Sequence, residues 1–383
     1  DLNNWDTSNV ISFGNTYWTY GGMFQDCISL EELKIENWNM AQAKDISSMF
    51  RNCKSLTSIN LNKWNTNNIE QMQCVFLNCT QLVKIELDEL DTSNVKSMNN
   101  IFSSCNKLNI LNLKKLNTSN LTDMTGMFQN CYSLTELDLS NFNTGQVEST
   151  EKLFYNCSEL ISLNLKNWNT SNIINMNNMF NSCGRYALTA LNLGEYFDTS
   201  KVTNMSNMFK ATGYTKMASL DLKTKFNTSK VTNMSGMFAS TGHELMTTLD
   251  LGANFDTSAV TDMSSMFEAT GYKKMATLNL REKFNTIKVT NMSKMFKNTG
   301  FTAMTSLDLG NTFYTTAATD TSEMFNNTGA TAMTILDLGP AFDRIPDTNT
   351  DMFKNTGTAA LVVYAPESIY SNVTTFIANR TRN

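Results

Sequence analysis

Apolar and polar positions recur along this chain in a fixed order. A Phe, usually preceded by Met, marks the order: Phe24, Phe50, Phe76, Phe102, Phe128, Phe154 and Phe180 lie 26 residues apart. Phe209, Phe238, Phe267, Phe296 and Phe325 then follow at 29, and Phe353 at 28. A constant period is the mark of a repeat architecture, and it overrides any domain count drawn from 383 residues.

Within one unit the periodicity changes character. Leu137-Asp138-Leu139 alternates apolar and polar, which suits a short strand with one buried face. Val202, Met205, Met208 and Phe209 fall at i, i+3, i+6 and i+7. That spacing predicts a helical turn or two, capped by the oxygens of Asp198, Thr199 and Ser200. Such a coil cannot stand alone. About seven apolar side chains stabilise it by roughly 2 kcal/mol each, while ordering its backbone costs roughly 1–2 kcal/mol per residue. Stacked neighbours must supply the rest.

The predicted fold is therefore an α/β repeat, a right-handed leucine-rich-repeat-type solenoid. It has about 13 coils, with parallel strands on one face and short helices on the other. Residues 1–183 carry the 26-residue repeats and a Cys column, and 184–360 the longer repeats and a Thr column. Residues 361–383 form a C-terminal cap on one continuous solenoid. The extra residues flank the strand: Cys157 to Leu160 becomes Thr212 to Met217, and Leu165 to Trp168 becomes Leu222 to Phe226. In the cap, Ile369, Val373, Phe376 and Ile377 are spaced as one helical face.

Composition agrees with one motif copied many times: 24 Met and 23 Phe against 3 Pro. A net charge of −5 with scattered Lys and Arg leaves no basic stripe to neutralise a phosphate backbone, so nucleic acid is not an expected partner. No run of about 18 apolar residues predicts membrane insertion of this segment. The chain opens at Asp1 inside a repeat, and the natural protein is expected to continue toward the N-terminus and to be monomeric.

The segment from Phe197 to Phe209, the Trp/Phe/Leu-(Asp/Asn)-Thr-Ser and Val-x-x-Met-x-x-Met-Phe runs, and Phe-x-x-Cys-x-x-Leu-x-x-Leu-x-Leu recur through nearly the whole chain. In these motifs it resembles the BspA-like leucine-rich repeat surface proteins of bacteria and some protists. The resemblance implies secretion and binding of host or matrix components, without naming a ligand. Three features depart from that pattern: the Cys column turns to Thr, residues 11–22 interrupt the first unit, and 29-residue units are longer than the common form.

Candidate chemistry is sparse. Cys27, Cys53, Cys79, Cys105, Cys131, Cys157 and Cys183 sit three residues after each Phe. Their spacing is no zinc motif, and a stacked column points side by side rather than sulfur to sulfur, so a reduced, buried ladder is expected. Replacement by Thr212, Thr241, Thr270, Thr299 and Thr328 fits, since both residues are small and can bond backbone. Cys74 lies outside the column and reads as an exposed thiol. Trp5, Trp38, Trp64 and Trp168 share a column with Phe197 and Phe226 and read as core. Sequons such as Asn117 follow from turn composition, so no glycosylation is inferred from them.

Two columns remain for function. The middle strand position, including Asp221, Asp250, Asn279 and Asp308, is either a solvated ladder or an acidic floor for a polar ligand or cation. After a turn glycine stand Tyr214, His243, Tyr272 and Phe301, then Ala330. They either cover the inserted loop or form an aromatic edge that stacks on sugars or anchors a protein. Tyr17, Trp18 and Tyr20 near the start are either a partner surface or a local patch over the exposed first coil.

No metal or other cofactor is expected, for no calcium or zinc motif is present. His243, the single histidine, stands where neighbours carry Tyr or Phe, so a scaffold is expected and not an enzyme. The favoured function is an extracellular, cell-surface adhesin for host or matrix protein or glycan. The alternative is a passive structural or antigenic stalk. A third reading, an ice- or crystal-binding face, rests on the Thr column that includes Thr92, Thr118, Thr170, Thr199, Thr228 and Thr257.

Overall fold

Backbone hydrogen bonds around the Phe anchors run between coils. In the computed structural model, which describes residues 1–15, 21–87 and 89–378, the amides of Ile46, Ser48, Phe50 and Asn52 donate to the carbonyls of Gln71, Gln73, Val75 and Leu77 at 2.8–3.1 Å. The alternate amides of Met49, Arg51 and Cys53 close short turns onto Ile46, Ser48 and Phe50. Met234, Gly236, Phe238 and Ser240 repeat the scheme onto Asp262, Ser264, Met266 and Glu268. Every second residue stitches to the next coil, and those between shape the bend.

This corrects the expected helices. The Val-x-x-Met-x-x-Met-Phe segments are chains of turns, and the apolar i, i+3, i+6 spacing comes from turn geometry. A helix would send each amide back to the i−4 carbonyl of its own segment. Here the backbone turns left-handed two residues before and two after the Phe, as at Ser48 and Asn52 or Ser265 and Ala269. Left-handed residues interrupt a helix but let carbonyls point along the stack.

The chain divides into two units, and each winds as a parallel β-solenoid, about 11 turns in all. The first holds residues Asp1–Ile173, Ser182–Ala187 and Gly194–Phe197, and the second Ile174–Asn181, Leu188–Leu193 and Asp198–Asn383. In the first unit strands β1 (Ser58–Asn60) and β2 (Lys84–Glu86) pair in parallel, as do β3 (Glu136–Asp138) and β4 (Ser162–Asn164). In the second, β5 (Thr248–Asp250) pairs with β6 (Thr277–Asn279), and β7 (Ser306–Asp308), β8 (Ile335–Asp337) and β9 (Val362–Tyr364) form a three-stranded sheet. The central Leu or Ile of each strand from β1 to β8 is buried and its two neighbours are not.

Three kinds of column fill the interior. The Phe rings stack along each unit, as Phe50 on Phe76 at 5.4 Å and Phe238 on Phe267 at 5.7 Å. The Cys and Thr column hydrogen-bonds the preceding coil: Cys79 Sγ donates to the Phe50 carbonyl at 3.0 Å and Thr241 Oγ1 to that of Phe209 at 2.7 Å. The bond is between coils rather than local. A second Thr column is equally buried and donates forward, as Thr228 Oγ1 to the Asp256 carbonyl at 2.8 Å. Thr92, Thr118, Thr170, Thr199, Thr228 and Thr257 therefore face the core, which removes the ice-binding reading.

Trp38, Trp64 and Trp168 are buried as expected, but Trp5 is 53% exposed, stacked on Trp38. In the second unit β9 pairs with β8 and helix α1 (Glu367–Ala378) follows it, with Ile369 and Val373 buried. Phe376 and Ile377 fall outside the described side chains, and Tyr17, Trp18 and Tyr20 outside the described residues. Among the described residues no helix is long and apolar enough to cross a membrane.

Thr241→Val is nearly isosteric and leaves the buried Phe209 carbonyl without its hydroxyl donor, so it should cost about 1–3 kcal/mol in denaturant melting. Thr241→Cys keeps a weaker donor and should cost less. Equal losses in the two variants, or none, would show that the column acts by volume alone. Removal of residues 361–383 should uncover the apolar face of the last coil and lower solubility, and an equally stable monomer would contradict the cap.

Candidate functional site

The rim of the second unit is built from a repeated turn. Gly213, Gly242, Gly271, Gly300 and Gly329 all adopt φ near +50°, and a Cβ there would come within 2.3–2.6 Å of a Met Cβ four residues on. Only glycine fits. Each turn directs the next side chain outward in the same way, so Tyr214, His243, Tyr272 and Phe301 form a continuous ladder. Successive ring centroids lie 4.3, 4.8 and 4.8 Å apart, with planes within 11° of parallel. All four are half-buried.

The stacking narrows what this edge can do. Faces turned toward a neighbouring ring are covered, so a row of sugars cannot lie on them one by one. Edges and the end face of Phe301 remain. A string of charge runs beside the rings: His243 Nδ1 lies 2.9 Å from Glu244 Oε1, and Lys273 Nζ lies 2.5 Å from Glu244 Oε2. The Lys273 ammonium and the His243 ring hold the Glu244 carboxyl below its ordinary range. Glu244 and Lys273 share a column position in adjacent coils, so register alone would have paired them. The sequence reading missed them.

The acidic column has a backbone task. Asp221, Asp250, Asn279 and Asp308 each accept, through Oδ1, the amide two residues on, from Lys223, Gly252, Arg281 and Gly310 at 2.8–3.2 Å. These are Asx turns that end each strand. The bonds run to local backbone, with a ladder bond in places, as Asn164 Nδ2 to Asp138 Oδ1. Asp250 also pairs with Arg281 through both carboxylate oxygens, Nε to Oδ1 at 2.7 Å, which lowers its pKa. Lys223 Nζ lies 2.7 Å from Asp221 Oδ2.

The rings stand before each strand and the Asx column closes it, so the strand separates them. A groove of about 680 Å³ is lined by Asn279, Arg281, Glu282, Asp308, Asn311 and Thr312 among others, and by none of the four rings. Among the described residues no group of three His, Cys, Asp or Glu side chains is placed to hold a metal.

The cysteines need one correction. All eight are unpaired, but Cys74 is buried and Cys27 is exposed. Cys74 occupies the left-handed position two residues before Phe76 and is buried there, although the same position in other coils, held by Asn100, Lys152 or Ser265, is partly exposed; Cys27 lies three residues after Phe24. Burial pushes the Cys74 thiol up to about 11 and Cys53 to about 12, and raises the deeper Cys105 and Cys157 well above the ordinary range.

Parallel coils with an aromatic edge define a repeat protein. The chain belongs to the family described as Mycoplasma protein of unknown function, DUF285, whose model matches residues 1–85, 76–192, 161–247, 189–277 and 243–357. No curated protein matches it. Among solved structures, a leucine rich cell surface protein from Faecalibacterium prausnitzii A2-165 is 13% identical over 85% of this chain and 83% of its own, with a TM-score of 0.38. A leucine-rich repeat protein from Bacteroides ovatus ATCC 8483 is 14% identical over 85% and 86%, with a TM-score of 0.33. At these scores the likeness carries no functional information.

Because only the thiolate reacts, a raised pKa and burial both slow labelling. A thiol reagent at pH 8 should modify Cys27 alone in native protein and all eight cysteines after unfolding. Rapid native modification of Cys74, or disulfides detected without reductant, would contradict the buried ladder.

Proposed function

We propose that this chain is a non-enzymatic binding scaffold outside the cell or at its surface, and that the 29-residue half carries its specificity. The single observation behind this is the ring ladder. Four aromatic side chains stand half-exposed on one edge, in addition to a core already filled by its own stacked Phe column. Aromatic side chains with a buried body and an accessible edge are common anchors in interfaces. The motif resemblance to BspA-like surface proteins favours the same reading, with a host or matrix protein or glycan as partner.

A specific observation also favours the passive stalk. Each candidate acidic residue closes a turn, and the inner ring faces cover one another, so both columns have structural work without a ligand. The two readings differ in one measurement. The full chain, immobilised and screened against extracellular-matrix proteins and glycans, should show saturable binding if it is a scaffold.

Replacing Tyr214 and Tyr272 together by Ala should then weaken that binding by about 1 kcal/mol or more per ring, with melting little changed. Asp250→Lys should alter it only if the ligand spans to the strand end. Absence of saturable binding across the screen would favour the stalk, and binding indifferent to all three substitutions would move the site elsewhere.

A further inference from the structure

The ring ladder stops two coils short of the glycine turns that carry it. The left-handed glycine continues through Gly329 and Gly357, but the residue after it changes from Phe301 to Ala330 and then Thr358. Three gaps in the column are closed by ring pairs at 4.3–4.8 Å, and among the described residues no ring lies on the far face of Phe301. A methyl group occupies the next rung. Coils repeat at about 4.8 Å, so a flat ring seated beyond Ala330 would stand at the spacing the ladder already keeps.

The empty rung is held in shape and carries no charge. Thr331 Oγ1 donates to the Phe301 carbonyl at 3.3 Å and to that of Thr302 at 3.0 Å, which ties the Ala330 turn to the turn before it. The residues that follow Phe301 and Ala330 in these two turns, Thr302, Ala303, Thr331 and Ala332, are all small and neutral. The charges of the rim stand in the earlier turns: Glu244 and Lys273, paired with each other, and the exposed Lys216 and Lys274. A nucleotide would bring a phosphate to two turns with no cation of their own, and a puckered sugar ring is thicker than a flat one.

Resting on the scaffold reading of this edge, we propose that the slot above Ala330 is a binding site for an uncharged aromatic side chain, Tyr or Phe, presented by a protein partner. The entering ring completes the ladder as its fifth member. Phe301 supplies one face, and the tied turns fix the slot before the partner arrives.

The test uses the full chain with carbon-13-labelled Phe and the probe N-acetyl-L-tyrosinamide, read as ring chemical shifts. A saturable shift of the Phe301 resonance, assigned by Phe301→Leu, is expected. Ala330→Phe fills the rung with its own ring and should weaken the probe by about tenfold or more, while Ala330→Gly should retain it. If Ala330→Phe does not fold, Ala330→Met must weaken the probe instead. Three results would overturn the site: no saturable shift, equal affinity in the filled variant, or tighter binding of methyl β-D-glucopyranoside than of the tyrosine amide. A partner found by matrix screening that binds Ala330→Phe undiminished would remove the slot and leave the scaffold reading standing.

Discussion

The constraint on which the rest of this structure depends is that buried backbone groups must find partners in the neighbouring coil. A turn-rich segment has few hydrogen bonds of its own, and an amide left unpaired in the interior costs on the order of a lost hydrogen bond. The alternation at Ile46, Ser48, Phe50 and Asn52 meets that demand by sending every second amide forward. It also requires left-handed residues on both sides of the Phe, which are strained for most side chains. Asn, Ser and Gly occupy many of these positions, and Asn adds an amide ladder, as Asn78 Nδ2 to Asn52 Oδ1 at 2.9 Å.

From that constraint the composition follows. Cys and Thr both place a donor against a Phe carbonyl of the preceding coil, so they exchange without changing the coil. The stronger oxygen donor accompanies the longer repeat. Asp and Asn end the strands because a carboxylate or amide oxygen can take the amide two residues on, leaving Gly252, Gly310 or Arg281 to turn left-handed. Acidity in this chain is largely turn chemistry. It carries less functional information than a count of carboxylates implies.

What is left over from these tasks is small and lies on one edge. The inserted residues before each strand create a glycine turn, and the turn hands its next side chain to solvent in register with its neighbours. Repetition converts four variable positions into one surface, although each residue alone would be an ordinary loop side chain. His243 belongs to that surface as a flat ring between Tyr214 and Tyr272, which accounts for a histidine in an aromatic column.

The sequence by itself determined the repeat, its register, the buried columns, the short strands and the aromatic row, because each depends on residue type at a constant spacing. It did not determine the path between the strands. Turn chains and helices place apolar residues at the same i, i+3, i+6 intervals, and they differ only in where the amides go, which is decided between coils. Exposure was equally hidden: Trp5 and Cys27 match their columns in type, but both are exposed. Cys74 is buried where the equivalent Asn100 and Ser265 are partly exposed, which residue type and column position did not announce. The aromatic row and the acidic column could be listed from sequence, but only the folded strand shows that they stand at its opposite ends and that the rings spend most of their faces on one another.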